Sequence, residues 1–192
     1  MAEEQELIPT ETEGYIVGEK KTIEEYKSLD ANDESLNKWK ESLGLGQVST
    51  APTDDPRRVV ILAMILEVDG EDKVVADVST AEKAKQLNDS PMVIKEGVTY
   101  RLKVRFKVQH DVISGLKYLH VVKRKGIRVD RLEEMVGSYG PSDSYYEKKF
   151  MPEESPSGFL ARGRYNVKSK FIDDDKVTHL EWDWAFEIKK EW

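Results

Sequence analysis

The sequence predicts an all-β sandwich that follows an arm of different character. Three observations carry this. After Pro56 the apolar residues recur with period two, as in "VTYRLKVRFKV" and "THLEWDWAFEIKK". Turn signals, among them "EVDGED", "KEG", "RKG", "YGPSD", "ESPSG" and "DDD", cut these runs into short strands. Before Pro56 the alternation is missing and the apolar spacing is helical or absent.

Residues 1–20 show no apolar periodicity and are expected to lack fixed structure. "TIEEYKSL" follows, with Thr22 and Glu25 at capping-box spacing and Ile23 and Tyr26 three apart, which predicts a short helix over about 22–30. A second helix is expected over about 33–43. Asp33 caps its start and Gly44 ends it, and Leu36, Trp39 and Leu43 share one face. Both are shorter than the ~12–15 residues at which an isolated helix becomes marginal, so a surface is needed to order them. "GLGQVSTAPTDDP" reads as a flexible linker over 44–56, which closes the arm at 1–56 and leaves 57–192 for the sandwich.

Within the sandwich, "VVILAMILEV" is a buried apolar strand. In "VTYRLKVRFKV", Val98, Tyr100, Leu102, Val104, Phe106 and Val108 face one way, and Thr99, Arg101, Lys103, Arg105 and Lys107 the other. "GFLARGRYNVKSKF" alternates, and in the last strand Leu180, Trp182, Trp184, Phe186 and Ile188 share a face. "STAEKAKQL" reads as one short helical turn.

Charge divides the chain at the same place. The formal net charge is −7, yet residues 1–56 hold 14 Asp and Glu against 5 Lys and Arg, whereas the remainder holds 23 against 25. The acid therefore sits on the arm, which favours a basic protein partner and argues against nucleic acid, although an acidic tail also serves simply to stay solvated. No apolar run approaches the ~18 residues of a membrane span. The acidic, polar start does not read as a signal or transit peptide, and cysteine is absent, so a cytoplasmic protein without disulfides is expected.

Catalytic chemistry finds no support. His110, His120 and His179 have no metal-ligand spacing to one another, and no metal or cofactor is expected. Phosphate-loop and nucleophile-elbow patterns are missing. Asp173–Asp175 reads as a charged turn rather than a calcium loop, and Glu153–Glu154, adjacent on a loop, do not face one substrate as an acid/base pair.

Several segments, in order, resemble the Rho GDP-dissociation inhibitors: "NDESLNKWKESL", "KEGVTYRLKVRFKV", "VISGLKYLHVVKRKGIRVD", "MVGSYGPS" and "GFLARGRYNVKSKFIDDDKVTHLEWDWAFEIKKEW". The resemblance runs from about Thr22 to Trp192. It implies an immunoglobulin-like β-sandwich behind a flexible, partly helical N-terminal arm. It implies binding of geranylgeranylated Rho, Rac and Cdc42-type small GTPases in a 1:1 heterodimer, slowed GDP release, extraction from membranes without stable insertion of the inhibitor, and no catalysis. It also names residues. Leu66, Met92, Val112 and Trp184 match positions lining the family's prenyl pocket, with Tyr100, Ile113 and Leu116 nearby. Glu153 and Glu154 match an acidic patch near the pocket mouth. Asp130 and Asp174 match carboxylates that meet basic residues of the GTPase body. Asp33 and Ser35 match residues that hold the switch I loop, and Leu36, Trp39 and Leu43 would pack on the switch regions.

The chain departs from the vertebrate pattern in places. Met92 stands for a Phe, which keeps a soft apolar wall, and Trp39 stands for a Tyr. Pro91 and Arg164 occupy positions of phosphorylatable serines, so release through those sites is not expected. Thr22 stands where a modified Ser is found, and also suits a helix cap. Two rivals stay open: a phosphodiesterase-delta-like solubilising factor that binds the prenyl tail without controlling nucleotide exchange, and a carbohydrate-binding sandwich. The helix pair weighs against the first, and outward Lys, Arg and Glu in place of exposed aromatics against the second.

Overall fold

The structure, a computed structural model, describes residues 7–10, 25, 28–29, 32–42 and 52–192. Among the described residues one helix, α1 (Glu34–Ser42), precedes nine strands. They are β1 (Val59–Val68), β2 (Glu71–Asp77), β3 (Met92–Lys95), β4 (Thr99–Val108), β5 (Ile113–Arg124), β6 (Ile127–Tyr139), β7 (Tyr146–Glu154), β8 (Gly163–Ile172) and β9 (Thr178–Lys189). A second helix, α2 (Ala81–Asp89), links β2 to β3. The strands form two sheets, ordered β2-β1-β4-β7 and β3-β9-β8-β5-β6. Every pairing is antiparallel except that of β3 with β9. The all-β sandwich expected from the alternation is thus the fold.

Turn chemistry sets the registers. Asp69–Gly70 and Lys125–Gly126 both have positive φ, at 52° and 82° and at 49° and 81°. They join Val68 to Glu71 and Arg124 to Ile127 as two-residue turns whose twist suits the flanking strands. "STAEKAKQL" forms more than the single turn expected. Thr80 caps α2 by accepting from Lys83 N at 3.3 Å, and Ala84 is buried as the helix packs on β9. Lys103 faces away from the inward row of Val104 and Phe106, as the alternation predicts, yet not into water. It is buried on the outer side of β4 and paired with Glu67 at 3.0 Å and Asp72, so an ion network, not water, covers that strand.

Antiparallel register lays the inward side chains of β5, β8 and β9 in cross-strand rows. Tyr118, Phe171 and Leu180 make one, followed by His120, Ser169 and Trp182, and then by Val122, Val167 and Trp184. Aromatic rings fill the first end. Phe106 meets Tyr139 edge-on at 4.9 Å, and Tyr118 packs on Phe171 at 4.8 Å and Phe150 at 5.0 Å. Toward the other end the rows shrink to valines, while the facing sheet presents Leu66 paired with Leu102. With valines in place of rings on β5 and β8, space is left between the sheets there.

The arm is partly placed. Asp33 accepts from Ser35 N at 2.8 Å and Leu36 N at 3.1 Å, which is N-cap geometry for α1. Of the helix expected over 22–30, only Glu25, Ser28 and Leu29 are described, with Leu29 N donating to Glu25 O at 3.0 Å. The remainder of that expectation, including Thr22, and the linker at 44–51 lie outside the described residues. Leu7 to Thr10 fall in the stretch expected to lack structure, yet they lie on the outer face of the second sheet. Leu7 is buried against Leu119, Val121 and Ile172. Thr10 donates to Glu133 and accepts from Lys117 at 2.8 Å, and Ile8 O accepts from Arg131.

Candidate functional site

A cavity of about 410 Å³ opens at the end where the rows shrink, within the ~300–1,000 Å³ typical of small-molecule sites. One wall is Leu66, Tyr100 and Leu102 of β1 and β4, and the other is Val122, Val167 and Trp184 of β5, β8 and β9. Nearer the mouth, Tyr165 stacks on Phe186 at 4.9 Å and 3°, and Met92 pairs with Phe186 across β3 and β9. Carboxylates stand at the rim: Asp130, Glu153 and Glu154 all line the opening, as does Arg124. The arrangement suits an apolar chain that enters the sandwich while its attachment point stays among charged groups.

A polar chain runs behind the cavity wall. Trp184 Nε1 donates to Ser169 Oγ at 2.9 Å, and Ser169 Oγ meets the Tyr118 hydroxyl at 2.9 Å. Tyr118 OH lies 3.4 Å from His120 Nδ1, and His120 Nε2 lies 3.2 Å from Asp130 Oδ2. An indole only donates and a carboxylate only accepts, so one direction satisfies every member. Ser169 gives its proton to Tyr118, Tyr118 to His120 Nδ1, and His120 Nε2 to Asp130. The hydrogen bond from His120 holds the Asp130 carboxyl below its ordinary range. Burial pushes the Tyr100 hydroxyl well above its ordinary value, helped by Glu153, whose Oε2 accepts from it at 2.7 Å.

The structure brings together Leu66, Met92, Tyr100 and Trp184, and puts Asp130, Glu153 and Glu154 at the mouth. It does not bring Val112, Ile113 and Leu116 there. They lie at the opposite end of β5, where Ile113 and Leu116 are ordinary core. Ile113 stands seven positions before His120, at most roughly 23 Å along an extended chain. Alternation told which way those side chains point but not which end of the sandwich they reach. Asp174 also lies at the far end. Its side chain is only 8% exposed and is paired with Lys117 at 3.2 Å, beside the β8–β9 turn. Asp33, Ser35 and Leu36 sit on the capped start of α1, Trp39 is described only by its backbone, and Leu43 lies outside the described residues. Sequence reasoning missed Leu102, Val122, Val167 and Phe186. Their alternation was visible, but only the cross-strand register aligns them with Trp184 and Leu66.

Fold and cavity define a two-sheet β-sandwich with an acid-rimmed interior site for an apolar group. The chain belongs to the Rho GDP-dissociation inhibitor family, whose model, described as RHO protein GDP dissociation inhibitor, matches residues 1–191. It is 48% identical to the Rho GDP-dissociation inhibitor of Schizosaccharomyces pombe over 92% of this chain and 86% of that one. It is 46% identical to the protein of that name from Saccharomyces cerevisiae, over 92% of this chain and 90% of the relative. It is 42% identical to Rho GDP-dissociation inhibitor 1 of Rattus norvegicus, over 90% and 83%. These are regulatory inhibitors by name. Among the described residues no helix is long and apolar enough to cross a membrane, and no cluster of side chains is suited to a metal ion.

Proposed function

We propose that this chain is a cytoplasmic, non-catalytic inhibitor that forms a 1:1 complex with geranylgeranylated Rho-type GTPases, slows their GDP release and removes them from membranes. The observation that carries this is the apolar cavity with carboxylates at its mouth. A geranylgeranyl chain is a twenty-carbon hydrocarbon, and at about 0.8 kcal/mol per buried CH₂ its exposure to water costs on the order of 10 kcal/mol or more. Only a comparably apolar slot offsets that. The basic residues that flank such a prenyl group gain about 1 kcal/mol each from an anionic leaflet, and Asp130, Glu153 and Glu154 stand where they can compete for them. The α1 face, with Asp33 and Ser35 at its capped start, is the part of the arm we assign to the switch loops. Asp33 would exchange its cap bonds for that contact.

The test compares pull-down of prenylated and unprenylated GTPase, with GDP release measured in parallel. Strong capture of the prenylated form only, with GDP release slowed by the full chain and not by the chain lacking residues 1–56, is expected. Full inhibition by the truncated chain would remove the arm from the account. Capture of the lipid with no effect of the full chain on GDP release would favour the general prenyl-carrier reading, for which family membership gives no support.

A further inference from the structure

Beside the cavity mouth, the β7–β8 loop holds Phe159 and Leu160 at 84% and 83% exposed. Adjacent bulky apolar side chains left this bare call for a partner. The loop is braced. Glu96 accepts from Gly158 N at 2.9 Å and pairs with Arg162 at 2.7 Å, and Tyr165 OH donates to Ala161 O at 2.7 Å. Arg124 donates to Arg162 O at 2.7 Å, which ties the loop to the end of the β5–β6 hairpin. On that hairpin Ile127 is 71% exposed, between the exposed cations Lys125 and Arg128. Val129 on the same hairpin and Pro156 on the same loop both line the cavity opening. An apolar tip and a basic fringe are thus continuous with the lipid entrance.

We infer that this rim docks on an anionic bilayer, with Phe159, Leu160 and Ile127 in the headgroup–acyl boundary and Lys125 and Arg128 on the anionic headgroups. The inference rests on the prenyl-carrier reading above and adds its second partner, the membrane surface. Apolar side chains flanked by Lys and Arg are the composition that holds a protein in the membrane interface. Docked this way, the cavity mouth faces the leaflet, and a prenyl chain can leave the bilayer for the cavity without crossing open water. The carboxylates of the mouth remain for the basic tail that follows the lipid.

Because the chain has no cysteine, Leu160→Cys gives a unique position for an environment-sensitive dye. On the full-length chain the dye should move to an apolar environment with phosphatidylcholine vesicles containing phosphatidylserine, and less with phosphatidylcholine alone. A label at Val75→Cys, exposed on the edge strand β2, should not respond. The double variant F159S/L160S should extract a geranylgeranylated GTPase from such vesicles about tenfold more slowly or worse, for loss of two interfacial side chains. It should bind a geranylgeranylated peptide in vesicle-free solution as the parent does. K125E/R128E should lose the preference for phosphatidylserine. Equal extraction by parent and F159S/L160S overturns the inference, as does a dye response to the GTPase without vesicles, which would make the rim a protein contact. Failure of the parent to bind the prenylated peptide overturns the reading on which the rim depends, whatever the vesicles show.

Discussion

Ser169→Ala probes the wall behind the cavity with the smallest change available. Ser169 is fully buried and its hydroxyl serves two neighbours at 2.9 Å, Trp184 Nε1 and Tyr118 OH. Tyr118 keeps His120 Nδ1 as its acceptor at 3.4 Å. The indole N–H keeps nothing. An orphaned buried donor costs about 1–3 kcal/mol, and the adjacent Trp182 Nε1 already lacks a partner, so relaxation in that layer has little to offer. A loss of about 2 kcal/mol is expected, read as a lowered urea midpoint at unchanged slope. The cycle with Trp184→Phe isolates the cause, because Phe removes the donor. In that background Ser169→Ala should cost well under half as much, a coupling of about 1 kcal/mol or more. Additive losses would refute the polar chain, and a single-variant loss below about 0.5 kcal/mol would refute the bond between wall and cavity.

Three further outcomes are expected. Gly126→Ala should cost only the ~1 kcal/mol of a left-handed side chain, since its site is open, whereas Gly115→Ala should cost roughly 3 kcal/mol or more because the new Cβ would lie 1.9 Å from Asp174 Oδ2; urea unfolding of the two variants compares them. Hydrogen bonds from Lys83 and Ser79 push the Asp77 carboxyl down from 3.8 to about 2. Its contribution is therefore full above 3.8 and lost as pH falls through about 2, and Asp77→Asn should flatten the acid limb of stability measured by denaturant titration across that window. Leu7→Asp should free the N-terminal strap from Leu119 and Val121 and expose Ile8–Thr10 to limited proteolysis, at a stability loss no larger than the ~1.5–3 kcal/mol of one buried leucine.

The sandwich was legible because its signals are local. Alternation in β4 and β9, the Asp69–Gly70 turn and the shift of charge at Pro56 all act over a few residues. The cavity was legible only in part because it is made by register. Trp184 and Leu66 were identified, but Val122 and Val167 share a row with Trp184 only once β5, β8 and β9 are aligned. Ile113 and Leu116, expected there from the resemblance alone, do not line this cavity, and no local signal says which end of the sandwich they reach. Strand alternation assigns Lys103 outward, and nothing local announced the carboxylates of Glu67 on neighbouring β1 and of Asp72 on β2 beyond it. Leu7 gave no signal because one apolar residue in an acidic stretch has no period.

The division of the sandwich into a filled and an open end has an energetic consequence that bears on function. A void of about 410 Å³, taken at ~24 cal/mol per Å³, corresponds to about 10 kcal/mol if it were sealed and dry. That is as large as the whole stability of an ordinary domain, about 5–15 kcal/mol. The fold is sustainable because the void opens at a charged mouth and so is not sealed, and because the aromatic rows at the other end remain fully packed. It follows that added volume should not be punished at these cavity walls. Val122→Phe, which projects into the space facing Leu66 and Leu102, should leave stability unchanged or raise it, where the same change in a packed core costs about 1–3 kcal/mol. Thermal unfolding measures this directly. The parent should also gain stability from a geranylgeranylated peptide as mass action requires, and the variant should lose that gain because the phenyl ring occupies the lipid's place. A Val122→Phe chain that unfolds 1–3 kcal/mol more easily, or that is still stabilised in full by the lipid, would mean the space between these walls is not the one the lipid enters.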